Sequence, residues 1–305
     1  MLLLSDLIEE YIYHGQAENL TKKTIINKRQ ELKQLKKYLE EKRSITEIEL
    51  ITVHDLRAYY RQKQTKGLQP QSIVSMMKSV NAFFNWCVHE DYLTENPMKK
   101  VERPKVPKKV LEGFTAEEVV KMIGVFSYKN YLETRNKAII AMLADCGLRS
   151  IEIRGLLSGN VRDTTILVNG KGNKERNVFI SPTLKKILIR YERMKQQYFE
   201  DKIVKSDAYF LSYQGDALSH PGLYNAVKLA GERAGIEGKR VSPHTFRHFY
   251  SVQTLNSGNI DVYSLSRLLG HSEISTTQRY LSSMTDSQLK DKAILSSPLT
   301  NLHKK

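Results

Sequence analysis

The chain has 305 residues, 40% hydrophobic and 27% charged, and its 48 Lys and Arg against 33 Asp and Glu leave a net charge of +15. That length accommodates two ordinary domains, and the cation surplus points to a polyanionic partner, nucleic acid ahead of an acidic membrane face. Cys87 and Cys146 lie in apolar runs, which excludes a disulfide scaffold. No apolar run approaches a membrane span, and the opening Met1 to Asp6 lacks the length and basic residues of a secretory leader, so a cytoplasmic, nucleoid-associated protein is expected.

Ser5 followed by Leu7, Ile8, Tyr11 and Ile12 predicts a short capped helix. Thr21 or Thr24 opens a second, with Ile25, Leu32, Leu35 and Leu39 on one face and Lys22, Lys23, Lys28, Arg29, Lys33, Lys36 and Lys37 on the other. The basic face reads equally as a solvated surface and as a strip along a DNA groove. Lys23, Lys28 and Arg29, with Lys78 further on, are the candidate DNA contacts of this half. Thr52 to Asp55 starts a third helix that runs to Lys66 and Gly67. A fourth starts near Pro70 to Ser72 and carries Ile73, Met77, Val80, Phe83, Phe84 and Cys87. A stripe at helical spacing is core rather than a base-stacking platform. Residues 1–100 thus predict a small all-helical domain. Asn96 and Pro97 end it. The stretch from Met98 to Lys109 is rich in proline and cations and predicts an extended, exposed linker over 101–112, suited to a phosphate backbone.

A second domain, 113–305, opens at Phe114 to Glu118 with a capping-box pattern. Tyr131 to Cys146 is a strongly apolar helix that stops at Gly147. Arg149 follows, with Glu152 three residues on: either an exposed ion pair or a buried Arg held by the carboxylate. Thr164 to Val168 and Arg176 to Ile180 flank a Gly-rich turn, Asn169 to Glu175, the one clear β signal. Lys171, between two glycines, lacks the spacing of a nucleotide-binding loop. It reads as a solvated tip or as an arm that swings a Lys into a site. From Pro182 onward the pattern is helical, with loops around Ser212 to Gly215 and Gly235 to Lys239.

Ser242-Pro-His244-Thr-Phe-Arg247-His248 places His244 and Arg247 on the first turn of a helix whose start suits proline. Backbone N–H groups there favour an anion, and an Arg fork matches a phosphate bidentately. His271 follows Leu268, Leu269 and Gly270, and Tyr280 lies nine residues later. Taken singly each is an ordinary surface residue; together they describe a phosphate site beside a phenol nucleophile.

With Arg149, Lys171, His244, Arg247, His271 and Tyr280 in that order, the sequence resembles a tyrosine recombinase of the phage-integrase family, closest to the compact Xer-type members. The strings are Cys-Gly-Leu-Arg149-x-x-Glu152, Gly-Lys171-Gly-Asn-Lys174-Glu-Arg176, His244-x-x-Arg247-His248 and Leu-Leu-Gly-His271 with Thr276, Thr277 and Tyr280. One departure is the order Ser150, Ile151 after Arg149, which bears on packing behind that Arg. The resemblance implies a mostly α fold: an N-terminal core-binding (SAM-like) domain and an α-rich catalytic domain with a small β-hairpin. It implies that Tyr280 attacks a DNA phosphate to give a 3′-phosphotyrosyl link. Arg149, Arg247 and His271 hold the non-bridging oxygens, His244 accepts the phenol proton and Lys171 protonates the leaving 5′-oxygen. Glu152 and His248 stand behind them, His248 as a structural residue. Lys174 and Arg176 join the DNA contacts. Bond energy is kept in the enzyme–DNA link, so no metal, ATP or other cofactor is expected.

The partners implied are double-stranded recombination sites, further copies of the chain in a tetramer exchanging strands through a Holliday junction, and an accessory or directionality protein. Met284, Leu289, Ile294, Leu295, Leu299 and Leu302 form an apolar tail that packs on its own domain or docks on a neighbour. The helical region starts almost at Met1, leaving no room for an arm-binding domain. Integration or excision of a mobile element is the expected role, with Xer-like resolution of chromosome or plasmid dimers as the alternative. A non-catalytic DNA-binding protein and a type IB topoisomerase are the rivals from other classes.

Overall fold

The computed structural model describes residues 2–107, 112–170, 175–271 and 273–281, with 279–281 described by backbone course alone. Two compact units divide the chain, residues 1–109 and 110–305. Among the described residues no helix is long and apolar enough to cross a membrane.

Among the described residues the first unit holds four α-helices: α1 (Leu4–Ala17), α2 (Lys22–Arg43), α3 (Val53–Thr65) and α4 (Pro70–His89). Thr21 caps α2 by accepting from the Thr24 N–H, and Thr52 with Asp55 forms a capping box on α3. α1 differs from expectation. It begins at Leu4 with no side-chain cap; its first N–H instead donates to the Thr46 carbonyl at 2.8 Å, so a backbone bridge does the work expected of Ser5. Leu32, Leu35 and Leu39 of α2 and the α4 stripe through Phe83 and Phe84 share one core, and Ile25 on the same α2 face is buried as well, as their period requires. The unit also runs past Asn96 and Pro97. A 3-10 turn, Pro97–Lys100, buries Met98 against the Tyr60 hydroxyl at 3.8 Å. Met98 is therefore core, and residues 101–107 follow without helix or strand.

The second unit is built on α6 (Tyr131–Cys146), which packs against α5 (Ala116–Gly124), α8 (Pro182–Phe199), α9 (His220–Arg233) and α10 (Pro243–Asn256). Thr115 and Glu118 make the expected capping box on α5. α6 ends at Gly147 in the left-handed region, φ 57°. A Cβ there would collide with the Tyr250 ring, so the turn toward Arg149 depends on glycine. The short α7 (Ser150–Arg154) follows, then the antiparallel pair β1 (Thr165–Asn169) and β2 (Glu175–Phe179), in register with Asn169 opposite Glu175. After α10 come α11 (Val262–Leu269) and α12 (Ile274–Leu281).

Candidate active site

The site forms where α11 stops. Gly270, at φ 64°, turns the chain. The Gly270 N–H then returns to the Arg267 carbonyl and the His271 N–H to the Ser266 carbonyl, each at 3.0 Å, a glycine cap that satisfies two of the last carbonyls. The next three are left over, and each accepts from an arginine of a different element. Arg176 of β2 donates its Nε to Leu268 O at 2.8 Å. Arg247 of α10 donates its Nη2 to Leu269 O at 2.7 Å. Arg149, at the start of α7, donates its Nη2 to Gly270 O at 2.8 Å. A helix C-terminus carries partial negative charge, so three cations gather there.

Glu152 ties two of them. Its Oε1 accepts from Arg149 Nη1 and Arg176 Nη1, each at 2.8 Å; its Oε2 accepts from Arg176 Nη2 at 2.9 Å and the Arg149 backbone N–H at 2.8 Å. Burial would push this carboxyl up, but the hydrogen bonds and charge of Arg176, then those of Arg149, bring it down to about 2. Three guanidiniums against one carboxylate leave an excess of two positive charges, which suits a phosphate.

Arg149 is not the buried Arg that one reading expected. Its side chain is 33% exposed while Glu152 is 1% exposed, although the carboxylate holds its Nη1 and the Gly270 carbonyl its Nη2. The reversed order of Ser150 and Ile151 does not disturb packing behind it, since Ile151 lies 67% exposed.

Arg247 is buried. It also donates its Nη1 to Gly147 O at 2.8 Å and its Nη2 to His271 Nε2 at 2.9 Å. Its position comes from these partners rather than from the first-turn N–H groups of α10, where Ser242 caps the Thr245 N–H. His271 places Nδ1 2.7 Å from the Thr277 hydroxyl of α12. Burial first, then the charges of Arg247, Arg149 and Arg176, lower its pKa to about 4 against the opposing pull of Glu152, so the ring is neutral near pH 7.

His244 keeps an exposed face at the start of α10. Crowding by protein, then Arg247 and Arg240, lower its pKa. His248 is buried, with Cδ2 2.8 Å from where a Cβ on Gly113 would lie, a packing position. Arg176, expected on the DNA side, turns inward, its guanidinium engaged by Glu152 and Leu268. In the first unit Lys23 and Lys78 are exposed, Arg29 pairs with Glu9 at 2.8 Å, and Lys28 donates to the Tyr11 hydroxyl at 2.6 Å. Lys171, Lys174 and the tail from Met284 to Leu302 lie outside the described residues, and of Tyr280 only its backbone place on α12 is described. Among the described residues no group of three or more His, Cys, Asp or Glu could hold a metal ion. Reading by motif gave Thr277 no role of its own and missed the three carbonyls. The signal for the carbonyls is Gly270, which as a helix cap implies leftover acceptors beside His271.

Comparison with known sequences settles the family. The sequence profile of the phage integrase family matches residues 112–286, and that of the phage integrase SAM-like domain matches residues 3–103. The chain belongs to the phage integrase family. It is a tyrosine recombinase, an enzyme that cleaves and rejoins DNA site-specifically. It is similar to the tyrosine recombinase XerD of Staphylococcus epidermidis, 30% identical over 284 residues that cover 91% of this chain and 94% of the relative. Among solved structures, XerH recombinase bound to palindromic difH substrate superposes with a TM-score of 0.73 at 19% identity, over 95% of this chain and 84% of that one. The Tn1549 transposon integrase in complex with circular intermediate DNA superposes at 0.72 and 16% identity, over 96% of this chain and 99% of that one. These structural likenesses identify the recombinase fold.

Proposed function

We propose that this recombinase cuts DNA through Tyr280, which attacks the scissile phosphorus to form a 3′-phosphotyrosyl link and release a 5′-hydroxyl. The observation that carries the reading is the convergence of Arg149, Arg247 and His271 on the end of α11, with α12, the helix that carries Tyr280, packed on α10 and α11. Arg149 and Arg247 hold the non-bridging oxygens, on which charge grows in the transition state, and His271 adds a hydrogen bond. A phenol with an ordinary pKa of about 10 needs that positive field. His244, its own pKa lowered, takes the phenol proton as base, and Lys171 protonates the leaving 5′-oxygen. Glu152 and Arg176 position Arg149 rather than touch DNA.

Strand exchange then follows in a tetramer through a Holliday junction, with the tail docking on a neighbouring copy. Integration and excision of a mobile element is our reading of the biological role. Resolution of chromosome or plasmid dimers is the second, favoured by the XerD relatives.

The test is incubation with nicked duplexes tiled across the DNA flanking the gene, without metal or ATP. A covalent adduct on a short inverted repeat there, absent for Tyr280→Phe, is the expected result. An adduct that persists in Tyr280→Phe removes the nucleophile assignment. Flanking duplexes that give neither binding nor adduct place the site elsewhere and move the role to dimer resolution.

A further inference from the structure

The hydrogen bond between Arg247 and His271 runs the wrong way for holding a phosphate. A guanidinium only donates, so His271 Nε2, 2.9 Å from Arg247 Nη2, bears a lone pair. A neutral ring then carries its proton on Nδ1, and the Thr277 hydroxyl at 2.7 Å accepts it. In that state Nε2 would repel a phosphate oxygen. The proposed function, on which this inference rests, needs Nε2 to donate.

We propose that Thr277 is a positioning residue that lets His271 change tautomer. Without DNA the imidazole proton sits on Nδ1 and Nε2 accepts from Arg247; when the phosphate enters, the neutral ring becomes the Nε2–H form and Thr277 turns from acceptor to donor.

The proton balance is simple: one proton leaves Nδ1 for water and one reaches Nε2 from water, with no net uptake. Adding a proton without losing one would make an imidazolium beside Arg247, Arg149 and Arg176, whose charges outweigh the pull of Glu152. A hydroxyl is suited to the exchange because it both donates and accepts. A carboxylate at 277 would hold the proton on Nδ1. Thr277 is fully buried, so bulk water does not take its place, and losing its hydroxyl would cost either tautomer a hydrogen bond at Nδ1. Thr277 also lies on α12, one turn before Tyr280, so the His271 partner and the nucleophile ride on one helix.

The experiment reads the ring nitrogens of 15N-histidine-labelled protein, since protonated and bare imidazole nitrogens resonate far apart. Tyr280→Phe protein keeps the DNA intact, His271→Gln in that background assigns the signal, and the probe is the duplex that forms the adduct. Protonated Nδ1 and bare Nε2 are expected without DNA, reversed with it. Thr277→Val should lose the single tautomer and, as the otherwise wild-type enzyme, cleave about tenfold more slowly at unchanged DNA affinity; Thr277→Ser should restore both. A doubly protonated ring on DNA, an Nδ1–H that persists there, or a free protein with Nε2 protonated overturns the proposal. If His271→Ala cleaves at the wild-type rate, the phosphate-holding role of His271 fails instead, whatever the tautomer.

Discussion

At Glu152 one carboxylate, 1% exposed on its side chain, accepts from two guanidiniums and a backbone N–H. Glu152→Gln keeps the shape and removes the charge, leaving three arginines without a counter-ion. The carboxyl titrates near 4.5 when unfolded and about 2 when folded. Its stabilisation is therefore complete above pH about 4.5 and is lost as the pH falls toward about 2. That difference corresponds to about 3 kcal/mol, in line with the cost of breaking a buried pair. Urea unfolding should show Glu152→Gln less stable by about that amount at pH 7, with the gap to wild type closing across this acid window. A gap that does not change with pH would assign the loss to hydrogen-bond geometry rather than charge.

The end of α11 works as a unit, because its three leftover carbonyls fix arginines delivered by β2, α10 and the start of α7. Gly270 sets where those carbonyls point. An alanine there meets two costs: the left-handed φ of 64°, and a Cβ 3.1 Å from Arg176 Cδ and Nη1. Gly270→Ala should lower stability by about 1–2 kcal/mol and slow cleavage by about tenfold at saturating DNA, measured on a nicked duplex. A stability loss with unchanged cleavage would show that the arginines hold their places without this turn. The elements themselves were legible beforehand. The period of α6, the helix start at Thr52, the capping box at Thr115 and the two β-prone runs are local signals, and each of these elements forms where the pattern predicts it. The inward turn of Arg176 was not legible. An Arg beside a hairpin loop reads as exposed until the fold brings Glu152 and Leu268 to it, and neither is near it in sequence. The part played by Thr277 was hidden for the same reason: its meaning lies in the ring it faces.

Over the whole chain, a net charge of +15 favours any polyanion, and displaced counterions make such binding weaken steeply with salt. Which cations set the slope depends on what they already hold. Arg176 is committed inside the second unit. In the first unit Lys28 lies 4.2 Å over the Tyr11 ring and bonds its hydroxyl, and Arg29 pairs with Glu9, an exposed ion pair that would cost little to exchange for a phosphate. Lys23 and Lys78 are exposed. If this unit binds DNA by its basic residues, Lys23→Ala and Lys78→Ala should each reduce the slope of log affinity against log salt by about 0.9. Lys28→Ala should reduce it less and lower stability instead, because its ammonium is already engaged. Fluorescence anisotropy on a labelled duplex between about 50 and about 200 mM salt reads the slopes, with Tyr280→Phe as background so that binding is not pulled forward by cleavage. Unchanged slopes for Lys23→Ala and Lys78→Ala would remove both from the DNA interface and leave the α2 cations as a solvated face.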